Sequence, residues 1–249
     1  MEIINGLLCR KFSIGYFPIP KVANTSIKHI IYRMEFGESF SPEQHPSVIH
    51  HKSWLAKKLI KPMSGPPIYK HIHDYYRKNL VNITEADFQF TIIRDPVKRF
   101  LSAYSNRVLH YKELSFEKIN ALSEFKKKQI NFDGFIYDPN ISQFIENIET
   151  YLKVPAINMH VRPISTLISN LNSFTEVYPI ESIPLLEEKL SSITNSIINI
   201  PKHQTGGYKI AISKLNLNHL DKVIKMYQND YLLLSNYYSA DDIRKEWEI

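Results

Sequence analysis

Apolar residues along the chain alternate between two arrangements. Phe12 to Ile19 is a short apolar and aromatic run closed by Pro18 and Pro20, which reads as a strand. Asn24, Thr25 and Ser26, residue types that cap helices, follow it, and Ile27, Ile30, Ile31 and Met34 then recur at helical spacing. The pattern repeats later. Phe88 to Ile93 reads as a buried strand ended by Arg94-Asp95-Pro96, with Asp95 as N-cap and Pro96 at the first helical position. Val97, Phe100, Leu101, Tyr104 and Val108 mark one face of the helix beyond. Two strand–loop–helix units predict an α/β fold: a P-loop-like central parallel sheet flanked by helices.

Between the two units, prolines at 42, 46, 62, 66 and 67 predict irregular chain, with a short helix around Trp54 to Ile60. The C-terminal half reads as mainly helical. Ile141 to Tyr151, Ile183 to Ile193 and Leu215 to Leu234 carry apolar residues three and four apart, with extended pieces at 154–158 and 174–178. No repeat or long linker divides the 249 residues, so one domain spanning 1–249 is expected.

Composition adds little to the fold but narrows the setting. The single cysteine, Cys9, has no partner within the chain, so no disulfide staples it. The N-terminus lacks a signal-like apolar run, and no stretch approaches the length of a spanning helix. The expectation is a cytoplasmic protein without a membrane span. A formal net charge of +6 suggests an anionic partner, although a merely Lys-rich surface gives the same balance. Lys126-Lys127-Lys128 reads as a solvated helix end or as a patch that attracts an acidic glycan.

Chemistry concentrates in the two loops. Pro20-Lys21-Val22-Ala23-Asn24-Thr25-Ser26 joins a strand to a helix, whose opening amides and positive dipole end suit a phosphate or sulfate group. Lys21 adds a full charge there. The segment also reads as an ordinary N-cap beside a surface lysine. It is not an ATP-type loop, because the G-x-x-x-x-G-K-[ST] pattern is absent. In the second loop Arg94 ends a strand, where sites on open α/β sheets gather. Ser102 lies two helical turns on, within reach of a group held by Arg94. A guanidinium fork with a hydroxyl suits a phosphate monoester. Asp95 is expected to cap, Tyr104 to pack in the core, and Arg99 either to bind phosphate or to form a surface salt bridge.

Together, PKVANTS at 20–26 and RDPVKRFLSAY at 94–104 resemble the PAPS-dependent sulfotransferases (PAPS is 3'-phosphoadenosine-5'-phosphosulfate), in the carbohydrate branch and its bacterial-type members. The family patterns are PKxxxTS and RDPxxRxxSxY, in this order. The resemblance implies transfer of a sulfuryl group from PAPS to a hydroxyl without a metal. Lys21 would stabilise the bridging oxygen. Val22, Ala23, Asn24, Thr25 and Ser26 would hold the 5'-phosphate, and Arg94 and Ser102 the 3'-phosphate. Ala23 stands where the small-molecule branch usually has glycine, which leans the match to carbohydrate or glycolipid acceptors. Asn158 to Pro163 and Tyr227 to Tyr237 resemble two further family segments more weakly.

The reaction needs a base for the hydroxyl proton, and histidine suits the task near neutrality. His71 and His73 precede Arg94 by about twenty residues, as does an H-x-H in uronyl 2-O-sulfotransferases. By that match His73 is the first choice, His71 the second and His160 a separate candidate. A metal site drawing on His45, His50 and His51 lacks a recognisable ligand pattern. Pro201 to Tyr208 reads as a flexible basic loop over the nucleotide or as a plain surface turn. Two other classes compete: a kinase-like nucleotide enzyme, which would need ATP and Mg²⁺, and a non-catalytic basic module for acidic glycan or nucleic acid. The second leaves the RDPxxRxxSxY spacing unexplained, so no nucleic acid is expected as partner.

Overall fold

The structure, a computed structural model, describes residues 4–40, 72, 80–202 and 206–248. Early in the chain lie β1 (Asn5–Cys9), β2 (Ile14–Phe17), α1 (Asn24–Phe36), β3 (Val81–Asn82), β4 (Phe88–Ile93) and α2 (Pro96–Tyr104). A π-helical segment, Ser105–His110, continues α2, and α3 (Phe116–Asn120) and α4 (Glu124–Lys127) follow. Next come α5 (Ile141–Glu146), α6 (Ile148–Tyr151), α7 (Pro155–Val161), β5 (Glu176–Pro179) and α8 (Ile183–Thr194). The described chain closes with α9 (Leu217–Met226), α10 (Gln228–Leu233) and α11 (Ala240–Glu248). These elements form two compact units.

One unit draws on Met1–Pro18, Ala23–Ile92 and Ser173–His203. Its sheet has the order β3-β1-β2-β4-β5. The two strands read from the hydrophobic pattern pair in parallel, with Tyr16 opposite Phe90 and Phe17 opposite Thr91. Tyr16 stacks on Phe90 at 5.0 Å, and Thr91 Oγ1 donates to the Phe17 carbonyl at 3.0 Å, tying the two carboxyl ends together. β1 is antiparallel to both β2 and β3. A single 3-10 turn, Arg10–Phe12, closed by Ser13 at φ 53°, joins β1 to β2. So short a link permits only an antiparallel pair, since a parallel one needs a long crossover. Phe12, the start of the expected strand, is spent on that turn. Helix α1 packs against β1 and α8 against β5, where Lys189 pairs with Glu176 at 2.7 Å.

The other unit draws on Ile19–Val22, Ile93–Asn172 and Gln204–Ile249. Its core is organised by α2, whose Val97, Phe100, Leu101 and Tyr104 are buried as the periodicity predicts, with Val108 beyond. Phe144 of α5 lies 5.6 Å from Phe100 and 5.1 Å from Tyr104, and stacks on Tyr151 at 5.4 Å. Two long helices expected from the pattern are each broken. Asn147 (φ −106°, ψ 22°) separates α5 from α6, and Tyr227 (φ −105°, ψ 19°) separates α9 from α10. The extended piece expected at 154–158 is instead helix α7. Pro155 occupies its first turn, where the missing N–H costs nothing, and Ile157 and Val161, four apart, reach the core. The piece expected at 174–178 does form a strand, β5 of the other unit. No helix among the described residues is long and apolar enough to cross a membrane.

Candidate active site

Lys98 and Ser102, four apart on α2, face one side of the helix, and Arg94 stands just before its N-cap Asp95. They line a cleft of about 210 Å³, together with Ser105, Gly206, Gly207, Lys209 and Glu246. Arg94 and Ser102, the pair expected to hold a phosphate, are therefore brought together. Lys98 was missed by the sequence reading, although its place midway between the two was the available signal. Asp95 caps α2 as expected: Oδ1 accepts from the Lys98 amide at 2.9 Å and Oδ2 from Tyr231 Oη at 3.0 Å. Burial pushes its carboxyl up to about 6 against the opposing pull of these donors.

The far wall is built by backbone. Gly206 and Gly207 sit at φ 100° and 84°, and a Cβ on Gly207 would stand 2.7 Å from Ser105 Oγ and 2.9 Å from the Ser105 backbone. Only glycine allows this approach. Ser105 Oγ donates to the Tyr208 carbonyl at 2.6 Å, and Asn106 Nδ2 to the Gly206 carbonyl at 3.1 Å. The widened π-helical turn carries both donors, and such turns concentrate at functional sites.

Lys21 belongs to the same unit. Arg94 Nη1 donates to its carbonyl at 3.5 Å, and its backbone is left-handed, at φ 72°. Burial first, then the charges of Arg107 and Arg94, push its ammonium down from 10.5 to about 8. Arg107 is itself held below its usual range by burial, partly offset by Glu113 at 3.7 Å and by Tyr111, whose ring lies 5.0 Å away. Its Nη2 lies 2.7 Å from His160 Nε2, while His160 Nδ1 lies 2.9 Å from the Ala156 carbonyl. A carbonyl can only accept, so Nδ1 carries the proton and the Nε2 lone pair accepts from Arg107. The lone pair that would take a proton from a hydroxyl thus faces Arg107. Arg107 is a second residue the sequence did not flag, because the π-turn shifts it off the regular helical stripe.

Arg99 corrects the sequence reading, which had it either binding phosphate or pairing at the surface. It is fully buried. Its Nη2 stands 3.8 Å from Asp230 Oδ2 and donates to the Arg162 carbonyl at 2.6 Å, and Nη1 donates to the His160 carbonyl at 3.1 Å. Tyr227 lies 5.4 Å below the guanidinium. Asp230 in turn accepts the amides of Ile164 and Ser165, each at 2.8 Å. The three matched segments of this unit thus converge on one buried ion pair.

In the other unit, Asn24, Thr25 and Ser26 form the first turn of α1 rather than its cap. Ala23, at φ 59°, is the cap residue, and no side chain serves there. Ser26 is buried, and Asn24 Oδ1 is buried without a hydrogen-bond partner. Val22, in the same unit as Lys21, is also buried. His71 and His73 lie outside the described residues, as do His45, His50, His51, the Trp54–Ile60 segment and residues 203–205. Among the described residues no group of His, Cys, Asp and Glu side chains is placed to hold a metal ion.

Over residues 6–238 the sequence matches the sulfotransferase family. No curated protein and no solved structure matches it.

Proposed function

The chain belongs to the sulfotransferase family, and from that premise we propose that it moves a sulfuryl group from PAPS to a hydroxyl of a carbohydrate or glycolipid. The observation that carries the donor is the cleft, where Arg94, Lys98 and Ser102 line one wall and two glycines the other. A guanidinium fork, an ammonium and a hydroxyl suit a phosphate monoester, which adenosine 3'-phosphate supplies. The amides of Val22 and Ala23 and the first turn of α1, from Asn24 through Ser26, would hold the 5'-phosphate at the positive end of the helix.

The acceptor oxygen attacks sulfur as the bond to the bridging oxygen breaks, and adenosine 3',5'-bisphosphate leaves. Lys21 meets the charge that grows on that oxygen. The proton of the acceptor passes to a histidine, His73 before His71, since the His160 lone pair faces Arg107. Ala23 beside Asn24 supports the carbohydrate branch, on the resemblance noted above.

Thermal stability with adenosine 3',5'-bisphosphate, beside 5'-AMP and ATP, tests the donor assignment. At about 100 times its dissociation constant the bisphosphate adds roughly 2.7 kcal/mol. Stabilisation by it alone, abolished by Arg94→Ala, is expected. No shift, or an equal shift with ATP, refutes the reading.

A further inference from the structure

Helix α11 lies beyond the residues that match the family, yet it supplies part of the wall of the Arg94–Ser102 cleft. Glu246 is the contributing residue, and its Oε2 sits 2.7 Å from Lys98 Nζ. The helix does not depend on that ion pair for its place. Ile243 is buried, Trp247 Nε1 donates to the Leu215 carbonyl at 2.7 Å, and Arg244 pairs with Asp221 at 2.9 Å. The Lys98–Glu246 pair is half-exposed, a setting in which ion pairs add little to stability. Its consequence therefore lies in what enters the cleft.

Among the described residues, the charged groups of the lining apart from Glu246 are Arg94, Lys98 and Lys209, all cationic. A carboxylate among them acts twice on an incoming phosphate: it repels the anion and it occupies one of the three cations. We propose that Glu246 sets the affinity of this cleft for a phosphate monoester, with Lys98 exchanging between the carboxylate and the bound phosphate. The inference rests on the nucleotide reading above. In that setting Glu246 weakens the hold on the spent bisphosphate, and so favours its release after transfer. It is a specificity-determining residue that never needs to touch the reacting atoms.

The test is a set of dissociation constants for adenosine 3',5'-bisphosphate, measured by calorimetry at low salt. It compares the unaltered protein with Glu246→Gln, Lys98→Ala, the double variant and Arg94→Ala, with ATP as control ligand. Glu246→Gln is expected to bind about five- to tenfold tighter, equivalent to about 1–1.4 kcal/mol, with its melting temperature nearly unchanged. In the Lys98→Ala background the gain should fall to about twofold, and added salt should shrink it. Binding by Glu246→Gln no tighter than the unaltered protein, with Arg94→Ala still losing the ligand, overturns this inference and leaves the donor assignment standing. A gain equally large without Lys98 overturns the exchange. Failure of the unaltered protein to prefer the bisphosphate over ATP overturns both.

Discussion

Lys21 offers the sharpest quantitative consequence. Burial, then Arg107 and Arg94, bring its ammonium down to about 8. At pH 7 roughly 90% of the free protein carries the charge, and at pH 9 about 10% does. If that charge meets the leaving oxygen, kcat/KM, which reports groups of the free enzyme, falls about ninefold between these values. Arg107→Met removes one of the two depressing charges, so the alkaline midpoint should move upward, towards 10.5. Stability carries the opposite sign. The lysine is charged up to pH 10.5 when unfolded but only to about 8 when folded. Below pH 8 the folded state bears the full cost of the charge, and between pH 8 and 10.5 that cost is relieved, so stability rises with pH across this window. Lys21→Met should therefore raise the melting temperature at pH 7 while abolishing turnover. For a part-exposed, solvent-screened group the gain is about 1 kcal/mol, or about 2–4 °C for a chain of this length. A profile flat from pH 7 to 9.5, or a Lys21→Met protein less stable at pH 7, would refute the reasoning.

Two further outcomes follow from other parts of the structure. Asp230→Asn leaves the buried Arg99 guanidinium without its counter-charge and should cost about 3–5 kcal/mol in urea unfolding; a loss below about 1 kcal/mol would contradict the role given to the pair. His73→Ala should lower turnover about 10²–10⁴-fold with bisphosphate affinity held within about twofold, whereas unchanged turnover moves the base to His71.

The strand–loop–helix units were legible because their signals are local. Pro18 and Pro20 stop one strand, Asp95 and Pro96 open a helix, and the buried stripe from Val97 to Tyr104 follows from spacing alone. β1 was not legible, since Asn5-Gly6-Leu7-Leu8-Cys9 does not alternate and its place depends on pairing with β2 and β3. Nor were the helix breaks at Asn147 and Tyr227, where tertiary packing overrides an unbroken apolar pattern. In the site, Arg94 and Ser102 could be read from their spacing in one strand–loop–helix motif. Arg99 shares that motif, but its partner Asp230 lies 131 positions away, and no local pattern reveals that the charge is sealed in the core. Arg107 was hidden by the π-turn, and Glu246 by its distance along the chain from everything it faces.

The buried pair also bears on the order in which the molecule is made. Asp95, the cap of α2, receives the hydroxyl of Tyr231 across 136 positions, and Arg99 finds its carboxylate one residue earlier. On a ribosome those partners emerge 131 and 136 residues after the side chains they meet. Until then a nascent chain carries a cation with no counter-charge on the helix that frames the cleft, and the buried pair is completed only once residue 230 has emerged. Pairings this distant are slow to close, which makes the locking of this helix a late event in folding.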